Sequence, residues 1–462
     1  MPPKVEINHS DLKRELDLGS ATILVVANMI GTGIFTTSGL LIESIGDPRA
    51  MLLCWLVGGV LALCGALCYG ELGAMYPKAG GEYVFLRESL GRLWGFLSGW
   101  ISLIVGFSAP IAAASIAFAF YFFRAFPEAY LSQPQVSLIE NRLIVLSPVT
   151  LTAISIIIIF SIIHWYSLHF GRSVQNILTT FKLGVILSFI AAGLTFGNGS
   201  MEHFSEQIDL GIIFSGKFAT SLIFVSFAYS GWNAAAYMGA EIKKPEKNIP
   251  LALIYGTLVV IVLYILLNIV FVYSLSISDM SGVVEVGAKS AIALFGFRMG
   301  HIFSAAVTIC LLSVISAMIM TGPRIYYAMA KDRVFFSLFG KVSEKHRTPG
   351  FSILLQGGIA IVMVITSSFD KLLLYIGFTL SLFAMLTVLG MVILRIKQPG
   401  FIRPYKTFGY PVTPVLFILM NLWIIVFSIR GNPVVTLYGA ITIIGGVLVM
   451  MTRTCFFRSD IE

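Results

Sequence analysis

The feature that most limits how this chain can fold is a repeated one: stretches of roughly 20 apolar residues, each long enough to cross a bilayer as a helix. They lie near residues 18–44, 49–76, 93–126, 147–166, 174–197, 212–239, 250–275, 301–330, 351–368, 371–394, 411–429 and 433–453. Only 12% of the 462 residues are charged and 57% are hydrophobic, half the charge of an ordinary soluble chain. A soluble enzyme, a disordered protein and a nucleic-acid binder are excluded. The fold class is an all-α membrane protein of about twelve transmembrane helices. The runs 93–126 and 301–330 exceed a bilayer's width, so tilting or projection is expected.

Lys and Arg set the orientation. Of the 31, 22 fall in segments on the side of the N-terminus and only eight on the other, while Lys182 lies inside a span. Residues 1–17 and 454–462 are therefore expected to be cytosolic tails of a multi-pass protein in the plasma (inner) membrane. No short apolar core with a small-residue cleavage site precedes the first span, so no cleavable signal is expected. The net charge of +8 reflects this topology and does not call for nucleic acid. The five cysteines, Cys54, Cys64, Cys68, Cys310 and Cys455, form neither a disulfide framework nor a metal-ligand spacing.

Two spans are interrupted at their middles. The first reads Asn28-Met-Ile-Gly31-Thr-Gly33, and the sixth reads Phe227-Ala-Tyr-Ser-Gly231-Trp-Asn233. A glycine alone can simply allow close helix packing. Matched interruptions 200 residues apart instead point to a transporter built from two inverted repeats with a midplane site. An unwound segment exposes N–H groups at the start of the next half-helix, suited to a carboxylate, and leaves carbonyls suited to an ammonium. An α-amino acid carries both groups on one carbon.

These residues carry a resemblance. Gly31-Thr-Gly-Ile-Phe35 is similar to the first-helix signature of the amino acid–polyamine–organocation superfamily. The stretches Leu63-Cys-Gly-Ala-Leu-Cys-Tyr-Gly-Glu71, Tyr76-Pro-Lys-Ala-Gly-Gly-Glu-Tyr83, Phe227–Asn233 and Glu241–Pro250 resemble its L-type amino acid transporter branch. The resemblance implies a LeuT-like 5+5 inverted repeat, with repeats at 18–197 and 212–395 and two further helices within 411–453. It also implies substrate carboxylate binding at the N–H groups of Thr32 and Gly33, and amine binding at carbonyls near Met29, Phe227 and Ser230. Phe227 matches an aromatic that closes over substrate, and Asn233 the polar residue behind the side-chain pocket. Ser230 departs from the glycine common in relatives.

Lys182 is an intramembrane cation and so a functional candidate. Snorkelling is the alternative, but eight residues of helix put it roughly 12 Å from the cytosolic end of the run. By the resemblance it fills the place of a sodium ion, with carbonyls near Gly31 and the hydroxyls of Ser313 and Ser316 as partners. Glu71 and Glu241 are expected to pair with Lys or Arg at an inner gate, and His164, His169 and His203 to be interfacial. No Asp or Glu falls in the middle of a span, which argues against a cationic substrate. Tyr229 and Trp232 border the second break, either lining the site or packing.

The function expected is sodium-independent exchange of neutral L-amino acids, with proton-coupled symport or a transporter-like amino acid sensor as alternatives. The short tails leave no room for a sensor's soluble domain. A channel would need a polar pore stripe or filter loop, and neither is present. No cofactor, metal or enzyme activity is expected; membrane lipids and the amino acid are the expected partners. The branch's animal members join a heavy chain through a cysteine between the third and fourth spans. Segment 127–147 contains none, so no disulfide-linked heavy chain is expected.

Overall fold

The computed structural model describes residues 14–129, 139–140, 145–166, 168–204, 210–342 and 348–458. Among them, nine helices are long and apolar enough to cross a membrane, and a tenth span is the bent pair Leu18–Met29 and Gly33–Ile45, which meet at 42°. Gly216–Ala228 and Gly350–Thr366 are shorter apolar helices. They fall in the sixth and ninth apolar runs, so every run of the sequence contains a helix.

Local chemistry explains where helices start and stop. Asp17 and Asp47 cap the first and second spans, accepting from Ser20 N at 2.8 Å and from Arg49 N at 2.8 Å. Pro48 follows at the first helical position, where its missing N–H costs nothing. In the third span the seven residues Ser102–Ser108 form a π-helical stretch just before Pro110. Pro110 cannot donate back to Gly106, and the wider turn absorbs that missing bond.

Several boundaries differ from the sequence reading. The fifth-span helix begins at Leu168, so Lys182 is 14 residues into it, not eight. The eighth run continues through Pro323–Lys331 after Gly322. Short helices at Glu82–Leu90 and Val286–Phe295 occupy what the apolar runs leave as connections. The strands among the described residues are one two-residue antiparallel pair, Ile139–Glu140 with Val145–Leu146, beside single bridges of Leu16 with Ile242 and Ala79 with Met238.

The spans sort into two packed groups. The seventh lies along the first and second, and the first and sixth cross each other. The third lies along the fourth and eighth, with the ninth against the third and fourth. The fifth contacts the seventh and eighth, and the tenth contacts the second, third and sixth. Fourth-, eleventh- and twelfth-span residues such as Ile162, Leu419 and Ile444 are exposed apolar side chains, a surface suited to lipid.

A buried ion cluster ties the N-terminal-face ends of the second and tenth spans together. Glu71 is fully buried and accepts a forked pair of bonds from Arg395, through Nε at 2.8 Å and through Nη2. Arg403 adds an ion pair at 3.3 Å, and Thr407 donates from its N–H and its hydroxyl, each at 2.8 Å. The expected Arg partner is thus present, but 324 residues away. Glu241 makes no ion pair among the described residues. Its backbone carbonyl accepts instead from the N–H groups of Glu15 (2.9 Å) and Leu16 (3.0 Å), binding the N-terminal segment to the end of the sixth span.

Candidate functional site

The first span leaves its helix at Ile30, whose backbone (φ −73°, ψ 91°) is extended, and resumes at Gly33. Carbonyls in the last turn before such a break lose the N–H groups that would have continued the helix. Those of Ala27 and Ile30 are claimed by Lys182, whose Nζ donates at 2.9 and 2.6 Å. Lys182 is fully buried. The first-helix carbonyls it meets near Gly31 are those of Ile30, the adjacent residue, and Ala27, one turn earlier. Ser316 does not reach it, because the Ser316 hydroxyl pairs with His164 Nε2 at 2.9 Å. His164 is therefore buried between the fourth and eighth spans, near the end of the fourth. His203 bonds to the carbonyls of Val272 and Tyr273 at the end of the seventh span. The side chain of His169 lies outside the described residues.

The N–H groups of Thr32 and Gly33 open the outer half-helix, where no preceding turn supplies an acceptor. The Met29 carbonyl already accepts from Tyr264 Oη at 2.7 Å, and the same hydroxyl reaches the Ala228 carbonyl at 3.1 Å. One seventh-span tyrosine therefore joins the two broken spans at their breaks.

The sixth span unwinds between Ala228 and Ala234. Gly231 takes φ +95°, a conformation that disfavours any side chain, and a Cβ there would sit 2.8 Å from the Asn28 carbonyl. Gly33 meets Ala228 just as tightly, with 2.4 Å from its would-be Cβ to the Ala228 Cα. These two glycine contacts let the breaks touch. The Phe227 carbonyl accepts from Ser230 N at 2.9 Å. The N–H of Tyr229 also points to it, whereas the Met29 carbonyl keeps one lone pair for a ligand.

A cavity of about 530 Å³ runs from the breaks to the face bearing the N-terminal segment. Asn28, Ser230, Gly231 and Asn233 line its inner end, and Glu241 and Arg324 its mouth. No lining residue comes from 33–45 or 216–225, so the outer halves of both broken spans close the site toward the opposite face. Of the sequence candidates, Ser230 and Asn233 lie on the cavity wall. Met29, Gly31, Thr32, Gly33, Phe227, Lys182, Ser313 and Ser316 are not among the lining residues. Tyr229 and Trp232 do both expected jobs: each lines the cavity, and Tyr229 packs on Trp55 while Trp232 packs on Tyr69.

The sequence reading missed Glu82. Gly80 (φ +117°) and Gly81 (φ +48°) turn the chain sharply after the second span, and Glu82 re-enters the protein at the cavity wall, 7% exposed. Its Oε1 accepts from Tyr69 Oη at 2.7 Å and from Asn233 Nδ2 at 2.8 Å. Burial raises its carboxyl above the usual carboxylate range, and bonds from Tyr69, Asn233 and Tyr237 offset part of that rise. The signal was a double glycine followed at once by an acid. A carboxylate thus faces the cavity although no span carries one at its middle.

A helical membrane protein with two facing mid-span breaks and a cavity opening to one face is a secondary transporter. The match to known proteins makes that specific. Residues 16–451 match the amino acid permease family, and the chain belongs to it, within the L-type amino acid transporter branch of the amino acid–polyamine–organocation superfamily. It is 30% identical over 429 residues to the serine/threonine exchanger SteT of Bacillus subtilis, covering 92% of each chain. It is 29% identical to large neutral amino acids transporter small subunit 2 of Mus musculus, over 94% of this chain and 80% of that one. The b(0,+)-type amino acid transporter 1 of Mus musculus is 27% identical, over 93% and 85% respectively.

Proposed function

We propose that this protein exchanges neutral L-amino acids across the plasma membrane without sodium. The observation carrying the reading is the pair of breaks held in contact by Gly33 and Gly231 at the inner end of the cavity. The outer half-helix offers the N–H groups of Thr32 and Gly33 to a carboxylate. Carbonyls near Met29, Phe227 and Ser230 suit the ammonium, that of Met29 with a lone pair to spare, and Ser230 and Asn233 stand where a substrate side chain would enter. Serine, threonine and large neutral amino acids in the relatives' names share only an uncharged side chain, which sets the substrate class proposed here.

The first span has its N-terminal half at the cavity mouth and the sixth its C-terminal half, so the two run antiparallel. That supports inverted repeats at 18–197 and 212–395, with 411–453 outside them. The Lys and Arg bias supports cytosolic termini, and with them a cavity open to the cytosol. The absence of cysteine from 127–147 supports function without a disulfide-linked heavy chain.

The test uses purified protein in liposomes preloaded with one unlabelled amino acid and a panel of labelled amino acids outside. Uptake should require an amino acid inside, proceed in sodium-free buffer and be inhibited poorly by N-acetylated or carboxyl-amidated analogues. Analogues that compete as well as the parent would remove the two breaks as the recognition site.

A further inference from the structure

The helix Glu82–Leu90 belongs to one side of the molecule. It packs against the third and tenth spans, and its Tyr83 and Arg87 reach Asp332, beyond the eighth span, at 2.8 and 3.3 Å. Its first residue reaches the other way. The bonds from Tyr69 on the second span and Asn233 on the unwound sixth both end on Glu82 Oε1. One buried carboxylate therefore links the two packed groups of spans at the cavity wall.

Among the described residues, the groups around Glu82 are uncharged. Tyr69 comes from the second span, Asn233 and Tyr237 from the sixth, with Ser102 of the third behind Tyr237 and Thr387 of the tenth behind Tyr69. Arg87 on its own helix is committed to Asp332 and Glu88. Glu71, nearby on the second span, is held by Arg395 and Arg403. Glu15, Glu241 and Arg324 stand along the cavity, and none of them contributes to the environment of Glu82. A buried carboxylate with no cation beside it among the described residues is a group that neutralises by taking a proton.

We propose that Glu82 is a proton-binding positioning residue: ionised, it holds the unwound sixth-span segment to the helix 82–90, and protonated, it loosens that hold, so that exchange is governed by pH. This rests on the exchange reading above. The physical reason is the strength of the link. Bonds to an ionised carboxylate are roughly twice as strong as bonds between neutral groups, so a proton on Glu82 weakens both arms at once. The arm to Asn233 carries the consequence, because Asn233 sits in the segment that must move if the cavity is to close on this face.

The experiment compares wild type, Glu82→Gln and Glu82→Asp in preloaded liposomes, with equal pH on both sides, from about pH 8 to about pH 5. Wild-type exchange should rise at least about threefold as the pH falls, since the charge-assisted bonds become neutral ones. Glu82→Gln, permanently neutral, should be fast and flat, and Glu82→Asp should keep a pH dependence with a displaced midpoint. A flat wild-type profile, or a Gln variant that keeps the wild-type profile, overturns the proposal. Infrared difference titration of the purified proteins gives a readout independent of transport. A protonated-carboxyl band that appears on acidification in wild type and is missing from Glu82→Gln supports proton binding there, and an identical band in both overturns it. Wild-type protein that exchanges no amino acid at any pH would sink the exchange reading, while the infrared titration still decides the fate of Glu82.

Discussion

Replacing Lys182 by methionine isolates what its ammonium does. Methionine keeps the length and apolar bulk of the stem, so little cavity opens, but it donates no hydrogen bond. The Ala27 and Ile30 carbonyls, now at 2.9 and 2.6 Å from Nζ, then lose their partner in a buried place. Each such loss costs about 1–3 kcal/mol. The variant also escapes the cost of holding an ammonium away from water, which offsets part of the sum. A net cost of about 2–4 kcal/mol on the shaped break corresponds to an exchange rate about 30- to 1000-fold lower. The assay is exchange in preloaded liposomes, with monodispersity on size exclusion showing that the variant is folded. Added sodium should not restore it, because methionine supplies no oxygen ligands. In wild type, sodium should have no effect at all: a sodium ion about 5 Å from the ammonium would be repelled by about 3 kcal/mol at an effective dielectric near 20. A Lys182→Met variant that exchanges at the wild-type rate would refute the claim that Lys182 shapes the break.

Further substitutions test separate parts of the account. Gly231→Ala places a Cβ 2.8 Å from the Asn28 carbonyl at a φ of +95°, and should cut exchange more than about tenfold. Gly358→Ala, in a helix with nothing within 4 Å, should be neutral in the same assay. Phe227→Ala should impair exchange more than Phe196→Ala, because Phe227 is buried beside the second break whereas Phe196 is 82% exposed; equal rates in the two variants would remove Phe227 from the site. Arg395→Met takes the forked partner from a fully buried Glu71 and should lower thermal stability by about 3 kcal/mol, read by a thermal-shift scan in detergent.

The parts of the fold that depend on local pattern were legible in the sequence. All twelve apolar runs contain helices, and the glycines at 31, 33 and 231 mark the breaks, because length, hydropathy and backbone freedom are properties of short segments. What could not be read were pairings between distant segments. Ser313 and Ser316 share a helix face, which made them natural partners for Lys182, yet the Ser316 hydroxyl goes to His164, 152 residues earlier. Glu82 sits outside every apolar run. Nothing local says that a turn at Gly80 and Gly81 carries its carboxylate back to Asn233, 151 residues on. Lys182 was legible as a buried cation because its charge is anomalous in its own segment, but which carbonyls it meets follows from how the fifth span crosses the first.

The measurement that tests the central claim most directly is counterflow in sodium-free liposomes. Wild-type protein is reconstituted either empty or loaded with a neutral L-amino acid, and a trace of the same labelled amino acid is added outside. The account predicts rapid label accumulation in loaded vesicles, almost none in empty ones, and no change when sodium is supplied. Equal uptake into both, or accumulation that appears only with sodium, would contradict exchange at a lysine-held break.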